Sequence, residues 1–136
     1  MSERVFVDTN VFLRFFVRDN EPLFQRAKSL FERAENGETR LVTNEIVVAE
    51  IVWVLESYYG FARDEIREVL DVLLDSKSLD IENGSLIRES VELYTDGKMD
   101  FIDAFNIAYI KKKGVKKVAT FDRKHFRQIK GCEAVI

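Results

Sequence analysis

Apolar residues recur along this chain in two rhythms, and the alternation between them sets the expected fold. Short apolar runs bounded by polar or turn-forming residues read as strands at 4–7, 40–42, 78–81, 117–121 and 134–136, the first of them buried. Between them, apolar residues fall at helical spacing. Thr9 or Asn10 can cap a first helix through Val11, Phe12, Phe15 and Phe16. A second starts near Pro22, carries Leu23, Ala27, Leu30, Phe31 and Ala34, and stops at Gly37. Thr43 or Asn44 caps a third, which holds Ile46, Val47, Ala49, Glu50, Trp53 and Val54 and ends before Gly60. Residues 64–74 are amphipathic, with Ile66, Val69, Leu70 and Leu73 on one face. Asn83 is expected to cap a helix through Leu86, Ile87, Val91 and Tyr94 to Gly97. Asp100 caps another, running to Gly114, with Asp103 three residues on as in a capping box. A one-turn helix precedes the last strand. Strands alternating with helices predict an α/β domain with a mainly parallel sheet covered on both sides. No repeat, low-complexity tract or long linker interrupts residues 1–136, so one domain is expected.

Composition narrows the class. An apolar fraction of 46% with 33% charged residues argues for a folded rather than a disordered chain. The longest apolar run, 46–55, is broken by Glu50 and is too short to span a bilayer, so no membrane role is expected. The first residues lack a signal-peptide pattern, and the single Cys132 can form no internal disulfide; both fit a cytoplasmic protein. The net charge of −3 is unevenly spread. Residues 104–131 hold nine bases, namely Lys111, Lys112, Lys113, Lys116, Lys117, Arg123, Lys124, Arg127 and Lys130, against one acid, Asp122. A basic stretch of this kind suits a polynucleotide, although the lysines at 111–117 also complement a helix C-terminus.

Four acids stand where chemistry is expected. Open α/β sheets gather ligands beyond the carboxyl ends of their strands. Asp8 and Asp122 each follow a predicted strand there. Glu50 and Asp103 lie on helices, Glu50 inside an apolar run where a lone carboxylate is costly unless paired or metal-bound. Each acid taken singly reads as a cap or a solvated charge, and Asp100 is read as an N-cap. Taken together they need a cation. All-oxygen donors, with the only histidine, His125, isolated, select Mg²⁺ or Mn²⁺ over Zn²⁺. Such a site serves phosphoryl chemistry, and Arg123 and Lys124 are placed to hold flanking phosphates.

In this order the residues resemble the PIN-domain nucleases, especially the VapC-like toxins of toxin–antitoxin pairs. The likeness lies in Asp8-Thr9-Asn10-Val11 after the first strand, in Glu50 on an apolar helix, in Asp100-Phe101-Ile102-Asp103-Ala104, and in Thr120-Phe121-Asp122-Arg123-Lys124-His125-Phe126. It implies a three-layer α/β/α fold and an acidic quartet of Asp8, Glu50, Asp103 and Asp122. It further implies that Asn10 orients Asp8 and the attacking water, and that Thr120 is the polar residue of the last loop. The implied activity is Mg²⁺- or Mn²⁺-dependent cleavage of single-stranded RNA by a homodimer with a small antitoxin partner.

Two other readings share the scaffold. A haloacid-dehalogenase-type phosphatase also opens on a strand and an Asp, but its second Asp would stand where this chain has Asn10. A non-catalytic RNA-binding scaffold would be marked by a missing acid, and all four are present. Phe12, Phe15, Phe16, Phe24 and Phe31 have helical spacing and are expected in the core, as is Trp53.

Overall fold

Three parallel strands organise the first part of the chain. β1 (Glu3–Phe6) pairs with β2 (Thr39–Thr43), and β2 with β3 (Leu79–Ile81). The register sets Val5 beside Leu41 and Leu41 beside Leu79, a row of apolar side chains through the sheet. Parallel neighbours cannot be joined by a tight turn. Here α1 (Thr9–Val17) and α2 (Glu21–Glu35) link β1 to β2, while α3 (Glu45–Ser57) and α4 (Arg63–Asp75) link β2 to β3. The computed structural model describes residues 3–97, 99–126 and 129–136, with the side chains of Arg123 and His125 outside the described residues. It divides into two compact units, Met1–Gly84 and Ser85–Ile136.

Local chemistry starts each helix of the first unit. Asn20 and Asn44 are extended and accept the Leu23 and Val47 N–H groups, each at 3.1 Å, while Pro22 sits in the first turn of α2. The first helix is capped by Asp8 itself rather than by Thr9 or Asn10, because Asp8 holds the extended backbone of an N-cap (ψ 163°). The core joins Phe12, Leu41, Ile51, Leu55, Ile66 and Leu70, all fully buried. Beside Phe12 and Phe24, the half-buried Phe15 stacks on Phe24 at 5.5 Å and meets Phe31 edge-on at 4.9 Å.

The second unit contains α5 (Gly84–Gly97), α6 (Phe101–Lys113), a small parallel pair, β4 (Lys117–Val118) and β5 (Glu133–Ala134), and the one-turn α7 (Arg123–Phe126). Its buried residues include Ile87, Val91, Ala104 and Ala108, and Tyr94 meets Phe101 edge-on at 6.0 Å. Asp100 caps α6 as expected, accepting the Asp103 N–H at 2.8 Å. Gly114 ends it in the left-handed region (φ 66°), with its N–H on the Ile110 and Lys111 carbonyls.

The α/β class with parallel strands is as the sequence predicts, but five local readings change. β1 is largely exposed rather than buried, being the outer strand of its three-stranded sheet. Asn83 does not take an extended cap conformation; it is left-handed (φ 59°), and its amide donates to Glu45 at 3.4 Å. The fourth strand covers two residues instead of 117–121, since only Lys117 and Val118 find partners, and the last strand is Glu133–Ala134 instead of 134–136. Trp53 is 67% exposed. α3 is apolar on nearly every face, so spacing could not tell its inner side. Packing against α1 and α4 buries Val47, Val48, Ile51, Val52 and Leu55 and leaves Ile46, Glu50 and Trp53 outside. Among the described residues, no helix is long and apolar enough to cross a membrane.

Candidate active site

Asp8 is held by main chain. The strand end before it is locked twice: the Val7 N–H donates to the Val42 carbonyl at 2.9 Å, and the buried Thr43 hydroxyl donates to the Val7 carbonyl at 3.0 Å. From that anchored point Asp8 opens α1, and its Oδ1 accepts the Thr9 N–H at 2.8 Å. The helix N-terminus favours a negative charge at this position. The carboxylate is exposed, and Asn10, in the first helical turn, is exposed as well. Thr9 is buried, and its hydroxyl has no hydrogen-bond partner among the described residues. Thr43 is not legible from sequence as a support of the strand before Asp8, because a buried threonine at a strand end carries no periodic signal.

Glu50 lies on α3, which packs against α1, the helix that Asp8 caps. It is exposed between Ile46 and Trp53 on the outer face. The expectation that apolar neighbours make its charge costly therefore does not hold, because those neighbours face inward while Glu50 faces water.

The other two acids belong to the second unit. Asp103 stands in the first turn of α6, half-buried, with its N–H bonded to the Asp100 cap. Asp122 is exposed in the loop before α7, where its N–H donates to the Thr120 hydroxyl at 3.0 Å. This small turn gives Thr120 a positioning task on the backbone of Asp122. Lys124 is exposed; Arg123 was also expected to bind substrate, and its side chain lies outside the described residues. Within either unit taken alone, the described residues gather no group of three or more Asp, Glu, His or Cys side chains suited to a metal ion.

With Asp8 after β1, Asp122 in the loop before α7, an exposed Glu on α3 and Asp103 in the first turn of α6 in place, the family model of the PIN domain matches residues 5–131. The chain belongs to the PIN-domain family. The matched span of the PIN domain runs from β1 past α7 and contains Asp8, Asn10, Glu50, Asp103, Thr120 and Asp122. Among curated proteins, a VapC ribonuclease of Aquifex aeolicus (strain VF5) is 30% identical over 118 residues, covering 87% of each chain. Among solved structures, the crystal structure of Mycobacterium tuberculosis VapC20, a sarcin–ricin-loop-cleaving toxin, aligns at 20% identity with a TM-score of 0.44, covering 93% of this chain and 94% of that one.

Proposed function

We propose that this PIN-domain chain is a divalent-metal-dependent endoribonuclease that hydrolyses phosphodiester bonds of single-stranded RNA, acting as the toxin of a toxin–antitoxin module. The observation that carries this reading is the 30% identity to a VapC ribonuclease across 87% of both chains. The placement of Asp8 supports it further: an exposed carboxylate on an anchored strand end, at a helix N-terminus.

The donor set fits a hard divalent cation. Asp8, Glu50, Asp103 and Asp122 offer only carboxylate oxygen, the ligand type of Mg²⁺ and Mn²⁺. These four would hold the ion, and when bound it supplies Lewis acidity toward the phosphate and a water acidic enough to attack at neutral pH. The remaining chemistry belongs to the chain. The Thr9 N–H fixes the rotamer of Asp8 by holding one of its carboxylate oxygens. Asn10, one residue further along α1, orients the attacking water through its amide. Thr120 holds the backbone of Asp122, and Arg123 and Lys124 bind phosphates flanking the bond to be cut.

The reading extends to one cooperative domain over residues 1–136, a homodimer, a small antitoxin partner and a cytoplasmic site of action. An open reading frame for a small protein beside the gene, and a dimer mass by light scattering, are the expected observations. The decisive experiment incubates a fluorescent single-stranded RNA with the chain and Mg²⁺, Mn²⁺ or EDTA. Cleavage is expected with metal only. Asp8→Asn is expected to slow it at least about 100-fold, while the helix cap survives because Asn caps as well as Asp. Undiminished cleavage in EDTA, or phosphate release from small esters without RNA cleavage, would sink the proposal.

A further inference from the structure

The first unit carries ten Lys and Arg residues against 17 Asp and Glu, a net of −7. Against that background, one surface has the opposite character. α1 and α2 pack together, and between them opens a cleft of ≈ 390 Å³. Its polar lining consists of Asn10, Arg14 and Arg26, with no carboxylate. Its apolar wall includes Val11, Leu23 and Leu30, all half-buried. The volume lies within the range of small-ligand sites, about 300–1,000 Å³.

The two arginines differ. Arg14 already donates to Asp19 at 3.0 Å, in a pair open to solvent. Arg26 is exposed on α2 and makes no ion pair among the described residues. A guanidinium without a carboxylate partner, set beside apolar side chains, suits a ligand with an anionic group and a flat apolar face. Asn10, in its lining, belongs to the first turn of α1, the helix that Asp8 caps.

We infer that the α1–α2 cleft is a subsite for single-stranded RNA, taking the nucleotide next to the phosphate that is cut. The flanking phosphate sits on Arg26, and the base lies against Val11, Leu23 and Leu30. Contact with a base face is tolerant of sequence, so the subsite adds affinity and register rather than base choice. This inference rests on the ribonuclease reading. An acidic peptide is the competing occupant; an apolar wall for a base beside a guanidinium without an ion pair among the described residues, in a cleft lined in part by the helix that Asp8 caps, favours RNA.

The test uses the full chain with Arg26→Glu and Arg26→Lys. KM and kcat are measured on a fluorescent single-stranded RNA, and binding by anisotropy across a salt series. Arg26 is exposed and without an ion pair, so both variants are expected to keep the wild-type circular dichroism and melting curve. Arg26→Glu should raise KM about tenfold or more with little change in kcat, as expected for loss of a charged hydrogen bond. It should also flatten the plot of log affinity against log salt by about 0.7 for each phosphate that the variant no longer neutralises. Arg26→Lys should keep that slope. An active wild type whose KM and salt slope are untouched by Arg26→Glu overturns the subsite. So does a hexaglutamate peptide whose binding depends on Arg26 when RNA binding does not. Arg26-dependent RNA binding without any cleavage would keep the RNA subsite and count against the ribonuclease reading instead.

Discussion

The two units of this chain hold their acids in different ways. In Met1–Gly84, the site begins at the end of a three-stranded sheet: Val7 is tied to β2 by two hydrogen bonds, and Asp8 accepts the Thr9 N–H in the first turn of α1. In Ser85–Ile136, the sheet is a pair of two-residue strands, and the Thr120 hydroxyl accepts the N–H of Asp122. Charge separates the same way. The first unit is net −7; the second has 11 bases against seven acids, and Lys111, Lys112, Lys113, Lys116 and Lys117 are all exposed. The first unit thus offers an anchored carboxylate in an acidic setting. The second offers a row of exposed lysines at the far end of the helix whose first turn holds Asp103. A nuclease needs both properties, because a site that collects negative ligands for a cation also repels the polyanion it must cut.

The largest expected effects test whether the two units unfold together. Ile51 in the first unit and Ile87 in the second are fully buried, and truncating either to Ala is expected to cost about 2–5 kcal/mol. If residues 1–136 are one domain, each variant shifts the same single urea transition; two separate transitions would break the one-domain proposal. The next effect tests the cationic surface. Replacing Lys111, Lys112 and Lys113 together with Gln is expected to weaken RNA binding and to flatten its salt dependence by up to about 2 in log–log slope. An unchanged slope would reduce these lysines to partners of the helix C-terminus. Asp100→Ala should cost about 1 kcal/mol through loss of the α6 cap, with cleavage within about twofold of wild type. A much deeper loss of activity at unchanged stability would make Asp100 part of the site.

The smallest effect concerns Glu21 at the start of α2. Hydrogen bonds from the Arg18 guanidinium, and then from Gln25, hold its carboxyl down from 4.5 to about 2. A depressed carboxylate contributes stability above its unfolded value and loses it as the pH falls through the folded one. The advantage of wild type over Glu21→Gln should therefore be present above about pH 4.5 and close as pH falls toward 2. The group is fully exposed, so the gap is expected to be small and to shrink further in salt. A gap that widened in acid would contradict the assignment.

The residues at strand ends and helix termini are the most legible in sequence. Asp8, Asn44, Asp100 and Gly114 act through local backbone rules, and those rules operate within a few residues of chain. Asp8 was legible as a strand-end acid but not as the cap of α1, because Asp, Thr and Asn in succession all make good caps. α3 was the hardest element to read. Its sequence is apolar around the whole helix, so the exposure of Trp53 and Glu50 depends on where α1 and α4 come to rest. The strand after Lys117 was overcounted for a related reason, since an apolar run shows capacity to pair and says nothing of whether a partner is present.

By itself, the sequence determined the α/β class, the order of elements, the acids in their family order and the uneven charge, because these rest on composition, local propensity and neighbour spacing. Only the tertiary structure decided the lock of Thr43 on the strand before Asp8, the outward face of α3 and the arginine-lined cleft between α1 and α2. Each of these depends on residues distant in sequence, or on which side of a helix finds a neighbour. No local pattern carries that information.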